Sequence, residues 1–230
     1  IATIEAAGNL VDVLDASEGR KGVVVVNVAP RGNKRDGLNG TSFCYFYHGN
    51  TLVISTLGGY TLSLVRKFEI TKRVRLLDIK KVLEFAFKKN LINKDLAKYI
   101  TTTQFRSFDF IPRVCKWLLG GVNVPSSNLT MEQFNNVPFC IWCIDAFGNA
   151  KTTLSKEDLP LKVVPFKVKT NLGDLPFYER LKDVPKGETA IYIGSSGIGN
   201  TRFLEIATQG ISGSAAKTLS LKVVDTIEIK

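Results

Sequence analysis

The hydrophobic pattern of the chain changes near residue 137, and this change constrains the fold more than any other feature. Before it, strand-like and helix-like segments alternate, which is typical of an α/β layer. From Pro138 onward, short apolar runs are separated by Gly, Pro, Asn and Asp, with no long helical pattern between them. The sequence therefore predicts an α/β domain over residues 1–136 and a smaller all-β domain, an antiparallel barrel or sandwich, over 137–230.

Local signals predict most elements of the first domain. Apart from Asn27, Val23–Val28 is apolar and β-branched, as in a strand covered on both faces. Gly49-Asn50 is a hairpin turn signal between two strand-like runs. Helices are predicted over 78–90, 93–100 and 110–120, from apolar periodicity and terminal signals. The polar segment 122–136 is predicted to link the two domains.

Composition points to a soluble, cytoplasmic protein. Apolar residues make up 44% of the chain, and no run approaches the roughly 18 apolar residues of a membrane span. Four cysteines are too few for a disulfide scaffold at this length, and Cys140 and Cys143 point to opposite faces of a predicted strand. Because no cluster has metal-ligand spacing, no metal site is predicted. The chain begins with Ile1, so we expect a segment before it.

The net charge of +10 raises the question of a nucleic-acid partner. Its densest part includes the lysines of segment 78–90, where Val82, Leu83 and Ala86 recur at helical spacing. The lysines then lie on the opposite, solvated face of an amphipathic helix. No zinc-finger spacing or RNA-binding signature is present. Nucleic acid is therefore not the expected partner, and the charge is interpreted as attracting an anionic ligand or partner.

Several stretches match the motifs of one known family. Asp145-Ala-Phe-Gly-Asn149 is one, and Phe203–Asp225 is the second, with Leu-Glu-Ile-Ala, Gly-x-Ala and Leu-Lys-Val-Val-Asp at fixed spacing. Weaker matches are Gly22–Asn27 with the basic segment after it, and Gln104–Asp109. Together they resemble the S-adenosylmethionine hydroxide adenosyltransferases, whose relatives include fluorinases and chlorinases. The resemblance is weak over most of the chain and strong in its last third.

This resemblance implies a reaction at the ribose C5′ of S-adenosylmethionine. Water, or a halide in the relatives, attacks that carbon while methionine leaves, so adenosine or a halo-adenosine forms. Catalysis then consists of desolvating the nucleophile and orienting it in line with the C–S⁺ bond, which needs no metal. The resemblance also implies a homotrimer, with the ligand between the α/β domain of one subunit and the β domain of the next.

Three catalytic positions carry over from the family, and two are altered. The family's Asp becomes Asn27, its Arg becomes Arg35 (or Lys34, since the loop differs by one residue), and its His becomes Arg106. Asn27 lacks the anionic acceptor that orients water, and Arg106 cannot act as a base near neutral pH. The family's first strand, whose Thr-Asp-Phe-Gly motif holds the ribose, has no counterpart here, which implies an N-terminally truncated α/β domain.

The positions implied in adenosine or S-adenosylmethionine binding are better kept. Asn149 carries the amide that would pair with the adenine edge, and Asp145 would meet the methionine ammonium. Phe147 and Phe203 would flank the base, and Arg202 would donate to it. The alternative is structural, with Phe-Gly-Asn as a turn and Leu-Glu-Ile-Ala as a packed strand.

Two hypotheses for function follow. In the first, the chain is an enzyme that transfers the adenosyl group of S-adenosylmethionine to water, giving adenosine and methionine, or to a halide. In the second, it is a catalytically degenerate homologue that binds an adenine nucleoside or a protein partner, or serves a structural role, without turnover.

Overall fold

The computed structural model describes residues 2–28, 41–160, 164, 166–210 and 214–230. Two compact units are formed, one by Ser17–Asn135 and the other by Ile1–Ala16 together with Asn136–Lys230. We call them the N-terminal unit and the C-terminal unit. The C-terminal unit is discontinuous in sequence, since it includes the first 16 residues of the chain.

The N-terminal unit contains a five-stranded mixed sheet in the order β1-β3-β2-β4-β5. Its strands are β1 (Gly22–Val26), β2 (Phe43–His48), β3 (Thr51–Thr56), β4 (Arg73–Leu77) and β5 (Ser127–Thr130). β1 runs parallel to β3, and the other neighbouring pairs are antiparallel. The predicted turn at Gly49-Asn50 joins β2 to β3.

Helices of the N-terminal unit pack against this sheet through a core that includes Leu52, Leu83 and Phe110. They are α2 (Ser63–Lys67), α3 (Ile79–Lys88), α4 (Lys94–Thr102), α5 (Arg106–Asp109) and α6 (Ile111–Leu119). The Asp78 and Asn93 side chains cap α3 and α4 by accepting backbone N–H bonds. The three predicted helices correspond to α3, α4 and α6. As expected, the lysines of α3 are exposed opposite its buried face.

Two predictions for this unit are wrong. Val23 and Val25, which share one face of the edge strand β1, remain 40% and 46% exposed, so this strand is not covered on both faces. The predicted linker contains β5 and a 3-10 helix, Met131–Gln133. Thr130 and Gln133 form a capping box at the start of this 3-10 helix, a local signal that the polar composition of the segment concealed.

The C-terminal unit combines one long helix with a six-stranded mixed sheet in the order β6-β7-β11-β10-β9-β8. The helices are α1 (Ala2–Ser17) and α7 (Ser214–Thr218). The strands are β6 (Ile141–Ile144), β7 (Ala150–Ser155), β8 (Phe166–Thr170), β9 (Gly173–Tyr178), β10 (Thr189–Ile198) and β11 (Thr201–Thr208). All neighbouring pairs are antiparallel except β9 and β10.

The last residues of the chain contact both edges of this sheet. Thr226 forms a bridge with Cys140, just before β6, and Ile229 forms one with Thr170 in β8. The predicted strand over 221–229 is therefore reduced to isolated bridges. The predicted strand over 161–168 lies partly outside the described residues. The α/β class with a second, mainly β unit agrees with the sequence, although the second sheet is mixed.

All four cysteines are free thiols, and burial raises the pKa of the Cys140 and Cys143 thiols. Within the described ranges, no helix combines the length and the apolar character that crossing a membrane requires.

Candidate functional site

The loop between β6 and β7 is shaped by one carboxylate. Oδ1 of Asp145 accepts hydrogen bonds from the backbone N–H groups of Phe147 and Asn149, both at 2.9 Å. Its Oδ2 accepts from the Asn149 amide nitrogen at 3.0 Å. The backbone N–H of Asp145 donates to the Asn149 carbonyl, which closes the hairpin. A short acidic side chain that binds backbone two residues ahead is the Asx-turn arrangement, so Asp145 fixes this loop.

This loop displays Phe147 at the surface. Its side chain is 66% exposed, although a phenyl ring gains from burial. The Gly148 carbonyl beside it accepts from the Ala216 N–H of α7, which ties the loop to a second element. The Asn149 side chain is half-buried, and its amide nitrogen points toward Asp145, so its Oδ1 is the atom left to accept a further bond.

Arg202 lies in β11, next to the hairpin that joins β10 to β11. Its Nη1 donates to Asp15 Oδ2 of α1 at 2.6 Å and to the Ser195 carbonyl at 3.2 Å. The hairpin shows a register shift between Ile193 and Gly197, so regular strand pairing is interrupted there. Arg202 is thus held against α1 and its own hairpin.

Phe203 lies in the core rather than at the surface. Its side chain is fully buried, and its ring packs on Trp142 of β6 with centroids 5.6 Å apart. Alternation along β11 places Phe203 and Glu205 on the same face of the sheet. In this conformation Phe203 packs inside the domain and presents no surface to a base, in contrast to the role implied by resemblance.

A buried polar cluster surrounds Glu205, which is only 5% exposed. Its Oε2 accepts from the Tyr192 hydroxyl at 2.6 Å, and its Oε1 has no hydrogen-bond partner among the described residues. Burial raises the pKa of the Glu205 carboxyl, against the opposing effects of the Tyr192 hydrogen bond and the nearby charge of Lys151. Lys151 also lies 5.3 Å from the Trp142 ring centroid.

Two catalytic candidates, Asn27 and Arg106, are among the described residues. They lie at the end of the N-terminal sheet where β1 and β3 finish and β2 begins. Asn27 follows β1 and is exposed, and its neighbour Val28 exchanges hydrogen bonds with the Thr56 hydroxyl at the end of β3. Thr56 pairs with Phe43 at the start of β2. The Arg106 guanidinium lies 5.6 Å from the Phe43 ring centroid. β3 lies between β1 and β2, so Asn27 and Arg106 lie beside the two strands that flank β3.

The environment of Arg106 is compatible with a cation but not with a base. Its Nη2 donates to the Thr41 carbonyl at 3.3 Å. Burial lowers the pKa of its guanidinium, but arginine stays protonated in proteins. Arg35, and its alternative Lys34, lie outside the described residues.

The C-terminal unit can be compared with known proteins. Residues 139–228 match the family described as the SAM hydroxide adenosyltransferase C-terminal domain. The matched residues include both of the motifs that carry the stronger resemblance. The resemblance inferred from Asp145–Asn149 and Phe203–Asp225 is therefore confirmed. No curated protein matches the chain in sequence.

Two solved structures have a similar fold. An uncharacterized conserved protein from Thermotoga maritima is 18% identical with a TM-score of 0.58; the match covers 100% of this chain and 85% of that one. A conserved hypothetical protein from Thermus thermophilus is 17% identical with a TM-score of 0.54, covering 100% of this chain and 83% of that one. At such identities the likeness concerns the fold alone.

The C-terminal unit can thus offer a ligand the exposed ring of Phe147, the amide oxygen of Asn149 and the guanidinium of Arg202. Sequence reasoning missed α1 as a contributor, and with it Asp12 and Asp15. The three-residue spacing of the two aspartates is visible in the sequence. The backbone amides that they bind, those of Gly197 and Gly199, lie more than 180 residues away in the chain. In the described part of the chain, no group of three or more His, Cys, Asp or Glu side chains is arranged to hold a metal ion.

Proposed function

We propose that the C-terminal unit binds the adenosyl group of S-adenosylmethionine or adenosine. The observation that carries this proposal is the Asp145–Asn149 loop, fixed from within by Asp145 and displaying Phe147. An aromatic ring held in the open by a fixed loop offers a preformed apolar face to a ligand, and burying that face against a base recovers the free energy that exposure costs.

Each side chain has a distinct role in this proposal. The Phe147 ring stacks on adenine, and Oδ1 of Asn149 accepts from the exocyclic amine of the base. Arg202 donates to an acceptor of the ligand. Asp145 supports the loop, since three hydrogen bonds already engage its two oxygens. Phe203 supports Trp142 from within the domain.

Titration calorimetry with adenosine tests this proposal. Saturable binding is expected, and Asn149→Ala should weaken it about tenfold, the effect of losing one good hydrogen bond to the base. Asn9→Ala, an exposed asparagine on α1, is the matched control and should bind like the wild type. Absence of binding by the wild type, or equal binding by both variants, would overturn the proposal.

Adenosyl transfer to water or halide is the second candidate. Its support is the position of Asn27 and Arg106 at the edge where the parallel strands β1 and β3 end, a common place for ligands in α/β sheets. Asn27 would orient the nucleophile by hydrogen bonding and Arg106 by its charge, without a base. Incubation with S-adenosylmethionine, with and without chloride, followed by chromatography for adenosine, chloro-adenosine and methionine, tests it. Adenosine no higher than in a protein-free blank would reject turnover.

The assembly is also a proposal. The resemblance implies a homotrimer, so light scattering should give about three times the 25.4 kDa mass of the chain. A monomer at micromolar concentration would contradict it.

A further inference from the structure

We propose that Asp15 of α1 is a positioning residue for Arg202, and that Asp12 and Asp15 together hold the β10–β11 hairpin as part of the adenosyl site. This inference rests on the function proposed above. It adds α1 to the site, an element that contributes no predicted ligand contact.

Helix α1 is seated close to the sheet. Ile4, Ala7, Val11 and Leu14 recur at helical spacing and are buried. At Gly8, an added Cβ would lie 2.3 Å from the Trp142 ring, so only glycine allows this approach. Close seating places the next turns of the helix within reach of the hairpin.

Asp12 and Asp15 make the same kind of bridge. Three residues apart, they project from neighbouring positions on one side of the helix. Asp12 Oδ1 accepts from the Gly197 N–H at 3.0 Å, and its Oδ2 lies 3.7 Å from Lys151 Nζ. Asp15 Oδ1 accepts from the Gly199 N–H at 2.8 Å, and its Oδ2 pairs with Arg202. Each carboxylate therefore joins a hairpin amide to a cation of the sheet.

The hairpin depends on these bridges because its own ladder is interrupted. Between the pairs Ile193–Leu204 and Gly197–Arg202 the register shifts, which interrupts regular β pairing. Gly197 has φ +138°, and an added Cβ there would lie 2.4 Å from the Thr201 carbonyl oxygen. Hydrogen bonds from backbone amides to carboxylates are stronger than neutral ones, so these two add to the hold that the Gly197–Arg202 pair and the Lys151–Ser196 hydrogen bond already give the segment.

The pairing with Asp15 also orients the Arg202 guanidinium. Both side chains are about 30% exposed, so their attraction is screened less than that of a fully solvated pair. Nη1 makes both contacts, with Asp15 and with the Ser195 carbonyl. In a planar group, the directions of Nε and Nη2 are set once Nη1 is fixed. Asp15 thus determines where Arg202 presents its remaining donors.

Asp15→Asn separates the contact of this carboxylate with Gly199 from its contact with Arg202. The asparagine oxygen can still accept from the Gly199 N–H, but its NH₂ group cannot accept from Arg202. Asp15→Asn and Arg202→Gln are made singly and together, with Glu5→Gln as a control that removes one exposed carboxylate from the same helix. Adenosine affinity is measured by calorimetry, and thermal unfolding is followed in parallel.

We expect Asp15→Asn to weaken adenosine binding about tenfold, in the range of one charged hydrogen bond. The loss should disappear in the Arg202→Gln background, because Asp15 acts through Arg202. A general loss of stability would instead weaken binding in both backgrounds. Wild-type binding with no change on Asp15→Asn, or equal losses in both backgrounds, would overturn the positioning role alone. Absence of wild-type binding would overturn the proposed function and this inference with it.

Discussion

The two regions that carry the family's functional positions are preserved to different degrees. The β6–β7 loop keeps its motif, and its side chains bond to one another within five residues. In the N-terminal unit, the resemblance implies Asn27 after β1 and Arg106 beside β2 in place of an acid and a histidine, and neither residue can remove a proton from water. A loop that is shaped by its own residues persists independently of chemistry, whereas a nucleophile site needs particular charges. On the function proposed above, adenosyl binding is therefore expected to survive more readily than turnover.

The largest expected effect comes from restoring the altered region. Asn27→Asp with Arg106→His should raise adenosine release from S-adenosylmethionine to roughly 100-fold above the protein-free blank, the lower range of a positioned general base. The gain should vanish when Phe147→Ala is added, because substrate would no longer be held. Chromatographic rates of the single, double and triple variants check this. An unchanged rate in a double variant that still binds adenosine would refute the carry-over of these two positions.

The next largest effect concerns the preserved region. Phe147→Ala should weaken adenosine binding by about 1–3 kcal/mol, the range for stacking of a base on an aromatic ring. Because the side chain is 66% exposed, the melting temperature should hardly change. Phe87→Ala, an exposed phenylalanine on α3 of the N-terminal unit, is the matched control. Equal losses of adenosine affinity for Phe147→Ala and Phe87→Ala in calorimetry would contradict a specific role of Phe147 in binding.

The close packing of α1 on the C-terminal sheet should not tolerate even one added methyl group at Gly8. Gly8→Ala should destabilise the protein by about 1–2 kcal/mol, since overpacking against Trp142 outweighs the gain in helix propensity. Asn9→Ala, exposed on the same helix, should be neutral or slightly stabilising. Urea unfolding measures both. A Gly8→Ala protein more stable than the wild type would show that α1 does not pack closely there.

The smallest effect is a pH dependence in the C-terminal unit. Glu205 has a pKa raised by burial, with Tyr192, Lys151, Asp12 and Asp145 as the ionisable groups that act on it. A carboxyl with a raised folded-state pKa favours folding at low pH, and this stability is lost as pH rises through that pKa. Glu205→Gln should therefore gain stability relative to the wild type as pH increases. Melting curves from pH 5 to 8 with a constant difference between the two proteins would contradict this.

Local signals explain what the sequence revealed of the fold. The starts of α3 and α4 were predictable because Asp78 and Asn93 cap them within three residues. β7 was missed because its sequence, Ala-Lys-Thr-Thr-Leu-Ser, is largely polar, and β9 because it contains a proline. The packing of α1 could not be predicted, since it depends on residues far away in the chain.

In the candidate site too, contacts between neighbours in the chain could be predicted from the sequence, whereas contacts between distant residues could not. The Asp145–Asn149 loop was recognisable because its hydrogen bonds lie within its own motif. Burial of Phe203 was hidden because its partner, Trp142, belongs to another strand. The pairing of Arg202 with Asp15 was hidden because the two residues come from opposite ends of the chain.

The most direct test of the account is calorimetric titration of adenosine into the wild-type chain, followed by incubation of the same sample with S-adenosylmethionine. The account predicts one saturable adenosine site per chain and no adenosine release above a protein-free blank. Release of adenosine at a rate that Asn27→Ala abolishes, or a titration without any binding heat over a range of temperatures, would contradict it.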